Sequence, residues 1–362
     1  MKYLQYVVIA AIIMSLISCS KSSDSPDDVH LDTSYEISND LSYNAIISQF
    51  GSERLAQGVE QPDSGGALGR NKDGYFHVRF QLNMTSISDF VIATERIDAL
   101  QHLSNTISYS FERQMNDGSF EFSPPEELVN SPDYTPPSTG DLESGTAFFA
   151  SSLGLSLLSL QNSNWFLSSE ETQAIKQEIE TFKPAIEKTL NYLIVNKEIL
   201  AGYDAKAPNR LLFDALAFYS LGKYLEREDA QNIAFEFIES SLILTDSAEG
   251  YFIEGGGWDS SYNGVAIKLA MEIFCLINQS DQKSRLGAAI VAATAWQISR
   301  INESGEVSSE GNTRVFEGGE TFLGEEKGID YAKTVKALYY FGNLAGSSEI
   351  IELGDTVLEF YQ

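Results

Sequence analysis

ERQMNDGSFEF, Glu112 to Phe122, closes a stripe of helical period with charged residues, passes through Asp117-Gly118 and continues into a short extended apolar piece. Asp-Gly is turn chemistry, because the carboxylate accepts backbone N–H groups two residues on and glycine takes a positive φ without steric cost. The same order recurs in SAEGYFIEGGG (247–257) and in ISRINESGEVSSEG (298–311). Each copy leads into a second glycine-bearing loop and a new helix pattern: GDLESGTAFFASSLGL, WDSSYNGVAIKLA and EKGIDYAKTVKAL. Three copies of helix, turn, long loop and small-residue helix predict a cyclic or solenoidal array of helical hairpins.

Outward from these turns, helical period dominates. Ile87, Phe90, Val91, Ile97, Leu100, Leu103 and Ile107 make one stripe across 87–114, and apolar residues at such spacing line one face of a helix. Similar stripes cover 144–162, 169–199 with a break at Pro184, 207–225, 228–245, 262–279, 282–300, 328–345 and 347–360. Residues 41–84 read as an N-terminal arm, irregular or with one short strand in GYFHVRFQLNM (74–84). The fold class is all-α. The DGSF and EGYF turns, the long loops and the repeat over 85–362 resemble the α/α toroid proteins, in which inner and outer helices alternate round a ring or arc and the long loops of one end converge on a cleft. That architecture is similar to polysaccharide lyases, several glycoside hydrolase families and terpenoid cyclases. No DDxxD or DxDD run supports the cyclases, and no P-loop, GxSxG, HExxH or EF-hand loop is present.

The chain opens MKYLQYVVIAAIIMSLISCS, a short positive start and an apolar run too short for a confident membrane span. Residues 1–18 therefore read as an export signal. Leu16-Ile17-Ser18-Cys19 resembles the lipobox of bacterial lipoproteins, which implies that Cys19 is lipidated as the first residue of the mature chain. Residues 19–40, with SKSSDSPDDVHLDTS (20–34), are too polar to fold and read as a tether. The resemblance implies an outer-membrane or cell-surface lipoprotein that meets the membrane through its N-terminal lipid alone.

With 24 Lys and Arg against 52 Asp and Glu, the formal charge is −28. Nucleic acid is excluded as a partner. Cys275 has no partner once Cys19 is an anchor, and three histidines, one of them in the tether, cannot build a His-rich metal site. No cofactor or metal is expected.

Two stretches carry candidate chemistry. In EGGGWDSSYNGVA (254–266), three glycines let backbone approach a ligand, Asp259 can cap the next helix, and Trp258 offers a flat apolar face. Glu254, Trp258, Asp259 and Asn263 are the expected substrate-binding residues. In AGYDAKAPNRLLFDALAFYSLG (201–222), Pro208 suits a first helical turn, and Arg210 follows where the helix dipole disfavours a cation. A ligand carboxylate would explain it; so would pairing with Asp204 or Asp214. If the ligand reading holds, Asn209 and Arg210 neutralise the carboxylate of a polyuronate while Tyr262 acts as base and acid in β-elimination, with His102 as a second base. These residue types resemble the sets used by toroidal polysaccharide lyases. The alternatives are a glycoside hydrolase with a carboxylate pair drawn from Asp117, Asp141, Glu143, Glu254, Asp259, Glu317 and Glu320, and a surface lipoprotein that binds glycan without cleaving it. In every case the expected partner is a polysaccharide, acidic if the lyase reading holds.

The anchor has a direct test. Cys19→Ser should move the protein from the membrane to the soluble fraction and abolish incorporation of labelled fatty acid; a variant that stays bound after a salt wash, with an unlabelled parent, would remove the anchor.

Overall fold

The computed structural model describes residues 35–130, 134–322 and 325–362; the signal, Cys19 and the tether up to residue 34 lie outside them. Among the described residues there are sixteen α-helices. They are α1 (Tyr43–Gln49), α2 (Ser52–Gln57), α3 (Met84–Thr94), α4 (Ile97–Phe111), α5 (Glu126–Val129), α6 (Thr139–Gln161), α7 (Asn164–Ser168) and α8 (Gln173–Thr181). They continue with α9 (Lys183–Val195), α10 (Lys197–Asp204), α11 (Pro208–Tyr224), α12 (Glu228–Ile243), α13 (Ser260–Leu276), α14 (Asp281–Ser299), α15 (Tyr331–Ala345) and α16 (Ser348–Tyr361). Side chains of Ser138, Asp259, Ser280, Asp330 and Ser347 accept backbone N–H groups at the starts of α6, α13, α14, α15 and α16, satisfying donors that a helix leaves open.

Five helices form the inner wall. α3 packs on α6, α6 on α11, α11 on α13, α13 on α15, and α1 bridges α15 back to α3. Outside them lie α4, α8 and α9, α12, α14 and α16, each against its inner neighbour or the adjacent outer helix. The described residues thus form an α/α ring and one compact unit.

The two ends of the ring differ. Inner helices α3, α11, α13 and α15 pass to the outer layer through links of a few residues, whereas the returns to α6, α13 and α15 are long. A circuit of contacts shows that all inner N-termini share one end: Arg79 before α3 reaches Asp141 on α6, Tyr203 before α11 reaches Asp141, and Arg314 before α15 reaches Glu254 before α13. Ser261 on α13 accepts the Asp330 N–H, and Lys333 on α15 reaches Asn83 before α3. This end is the mouth. At the other, Asn44 donates to the Ser159 carbonyl of α6, Lys223 of α11 to Leu276 of α13, and the Ser38 N–H to Leu344 of α15.

Three expectations change. The stripe over 87–114 is two helices, broken where Glu95 turns left-handed at φ 53°. The 41–84 arm holds α1 and α2, whose Tyr43, Ile46, Ile47 and Leu55 are buried in the core, and its strand is the two-residue β1 (Phe76–His77) on β2 (Phe122–Ser123). Residues 35–40, assigned to the tether, lie on the ring: Tyr35 packs edge-on against Phe341. The other small ladder pairs β3 (Thr321–Phe322) with β4 (Glu325–Glu326). Pro184 does start a helix, α9, as its missing N–H allows.

The turns of the repeat do the same work in each copy. Gly118, Gly250 and Gly305 have φ of 95°, 84° and 91°, and a methyl on them would come within 2.2 Å of the Lys188 carbonyl oxygen, 2.5 Å of Ala292 and 2.3 Å of the Thr356 carbonyl oxygen. Each turn thus presses on the next outer helix. QPDSGGALG supplies a fourth: Gly66, φ 96°, sits 2.3 Å by the same measure from the Asn105 carbonyl oxygen of α4.

Gly118→Ala and Gly305→Ala should each destabilise by about 2 kcal/mol or more, since backbone strain and a clash coincide. Gly74→Ala, also at positive φ but with no atom within 4 Å, should cost about 1 kcal/mol. Thermal unfolding of the three variants checks the difference; equal losses would mean that the turn contact contributes nothing.

Candidate functional site

Two groups of charged side chains lie at the mouth. The first is centred on Asp141, in the first turn of α6. Its Oδ1 accepts from Arg79 at 3.1 Å and from the Tyr203 hydroxyl at 3.3 Å, and His77 Nε2 lies 3.9 Å from Oδ2. His77 Nδ1 accepts the Arg79 N–H, so the neutral ring carries its proton on Nε2, towards the carboxylate. Burial alone would raise the Asp141 pKa, but His77, Arg79 and Arg210 outweigh it and hold the carboxyl far below its usual range. His77 itself is shifted down, by burial first. Gly145 on α6 makes room for its ring.

Arg210 joins this group to the second. It pairs with Asp204 at 3.2 Å, and its guanidinium lies 5.3 Å from the centre of the Tyr203 ring. Asp204 and Asp214 are both fully buried, and burial together with their mutual repulsion raises Asp214 well above a carboxylate's range. Burial and repulsion thus favour the protonated form of Asp214, while Arg210 pairs with Asp204. Arg210 also acts electrostatically on both Asp141 and Glu254.

The second group is centred on Arg314. It pairs with Glu254 and, at 2.9 Å, with Glu320, and lies over the Tyr262 ring at 4.3 Å. Lys327 donates to the Tyr262 hydroxyl and to Glu320, both at 2.8 Å, and that hydroxyl donates to Glu320 at 2.9 Å. Burial pushes the Tyr262 phenol above its usual range, despite Arg314. Glu254 is 2 % exposed, and its Oε2 has no hydrogen-bond partner among the described residues. Burial raises its pKa to about 7, with Arg314 pulling the other way.

The structure brings Glu254, Arg210 and Tyr262 to the mouth. Most of the other expected residues are engaged in structural contacts instead. Asp259 spends both oxygens on backbone: Oδ1 caps Ser261 and Tyr262, and Oδ2 accepts from Arg314 and Val315 at 3.0 and 2.8 Å. Asn263 is fully buried, accepting from Phe252 and donating to Ala293 and Gln297. Asn209 is 5 % exposed, on the helical turn that carries Arg210. Trp258 is half-buried between Tyr251 and Gly311 and pins the 300–330 loop rather than standing open. His102 sits in the middle of α4, an outer helix, away from the mouth ends. Of the other carboxylates, Asp117 caps its own turn, Glu317 is exposed, and Glu143 is buried with the Tyr192 hydroxyl at 3.5 Å.

Sequence reasoning missed His77, Arg79, Tyr203 and Arg314. Arg314 lies in a long loop with no periodicity, and only its pairing reveals it. Tyr203 is 42 % exposed although Arg210 and Asp141 brace it, and only the structure shows those contacts.

No protein-family model matches the chain, and no curated protein does. Among solved structures, the chain is similar to one described as glycosyl hydrolase family 88 from Bacteroides vulgatus, with 12 % identity, 86 % of each chain covered and a TM-score of 0.47. A likeness of that degree leaves the chemistry to be argued from the mouth itself.

Proposed function

We propose that the mouth hydrolyses a glycosidic bond in an acidic glycan, with Glu254 as general acid and Asp141 as the carboxylate that activates water or attacks. One observation carries this reading: two carboxyls of the same mouth have contrasting surroundings, Asp141 among His77, Arg79 and Tyr203, Glu254 buried with Arg314 as its one cation and one oxygen unpartnered. Such a division assigns acid and base roles. Tyr203 supplies an exposed ring on which a sugar face can stack.

The acidic substrate follows from charge. Five inner helices turn their N-termini to the mouth, and Arg79, Arg210 and Arg314 stand there in a chain of charge −28. A sugar carboxylate drawn to Arg314 would take that cation from Glu254. Because Arg314 lowers the Glu254 pKa, its departure leaves Glu254 more fully protonated, and substrate binding arms the acid.

The lyase reading keeps one observation in its favour, the Tyr262 hydroxyl between Lys327 and Glu320. A phenol shifted upward and donating to a carboxylate is scarcely ionised near neutral pH, so little of its basic form is present, which ranks this second.

The full chain, incubated with uronate-containing and neutral polysaccharides, should release reducing ends without the ultraviolet absorbance of unsaturated uronates. Tyr262→Phe should retain the larger part of this activity. Unsaturated products that disappear in Tyr262→Phe would establish the lyase instead.

Glu254→Gln should lower kcat by about 100- to 10,000-fold with the helical spectrum unchanged. The active form has Glu254 protonated, so kcat/KM should be full below about pH 7 and fall as pH rises through it. In Glu254→Gln that alkaline fall should vanish from the residual activity. A fall that persists would assign it to another group.

A further inference from the structure

A cavity of about 190 Å³ opens beside the place where α1 and α2, rather than a further hairpin, bridge α15 to α3. Its walls are mostly apolar, with Leu55, Leu82 and Val335 among them, yet Lys268, Lys333 and Lys336 also line it. The charges nearly balance. Lys268 lies 2.7 Å from Glu272 and Lys336 2.5 Å from Asp89, and both carboxylates are fully buried. At the rim Arg54 pairs with Asp355.

Lys333 is left over. It reaches Asn83 Oδ1 at 3.5 Å and makes no ion pair among the described residues. An uncompensated cation beside buried ion pairs is costly, because the low-polarity surroundings leave repulsion between lysines poorly screened. Lys268 shows that strain: burial first, then Lys336 and Lys333, lower its pKa. One anion at Lys333 would complete the pairing, and apolar walls would hold an apolar body beside it.

We propose that this seam cavity binds a monoanion with an apolar body, a carboxylate on an aromatic ring or short hydrocarbon chain, its charge against Lys333 and its body among Leu55, Leu82 and Val335. The site uses none of the residues assigned to hydrolysis and stands whatever the mouth does.

The test is a titration of the full chain with 4-fluorobenzoate, followed by fluorine NMR, beside 4-fluorobenzyl alcohol, which has the ring without the charge, and fluoroacetate, which has the charge without the ring. Saturable binding of the benzoate alone is expected. It should weaken about tenfold or more in Lys333→Met, the loss of one charged contact. Ala332→Trp, at an exposed lining position, should block it while leaving the thermal midpoint in place. Equal binding of fluoroacetate, equal binding of the alcohol, or benzoate binding unchanged in both variants would overturn the proposal.

Discussion

The ring depends on a close approach that few residues permit: an α-carbon in a left-handed turn resting on the backbone of the next outer helix. Gly66, Gly118, Gly250 and Gly305 make it against α4, α9, α14 and α16. The turns are locked from within, since Asp63, Asp117, Asp246 and Asn302 accept N–H groups of their own loops. Inward, on α6 and α13, the walls close by the same economy of volume, with Gly145, Gly154 and Gly264 admitting His77, Ser220 and Thr334. Once the turn is seated, the base of each mouth loop is held in place, and the residues above it are free to vary in length.

Electrostatics then shape what the loops carry. A chain with twice as many acids as bases places its cations where acids would otherwise repel one another. Arg314 bridges Glu254 and Glu320, while Arg79 pairs with Asp141 and Arg210 with Asp204. Burying such pairs is not in itself stabilising, because desolvation offsets attraction. What they provide is register: each arginine needs its carboxylate from a neighbouring segment, so the loops cannot slide independently. The contrast between Asp259 and Glu254 follows from their surroundings. Four backbone N–H groups occupy the first, whereas the second has one arginine and an oxygen to spare.

Much of the fold was legible in the residues. Stripes at 207–225, 228–245 and 282–300 agree with α11, α12 and α14 within two residues, because their apolar spacing is regular and Pro208 and Ser280 mark the starts. The stripe through Glu95 misled, since a left-handed residue other than glycine leaves no compositional mark. α1 has seven residues, fewer than two turns of helix, too short for periodicity to show. For the mouth, Glu254 and Arg210 could be picked out from a glycine run and an awkward cation. Their partners could not: Asp141 and Arg79 are 62 positions apart, and Glu254 and Arg314 are 60, so ring closure alone makes them neighbours.

The chain enters the ring at the end away from the mouth. Ser38 bonds to the last helical turn of α15 and Asn44 to that of α6, so residue 35 joins the molecule at the face opposite the mouth. Anything fastened ahead of that point pulls on the closed face.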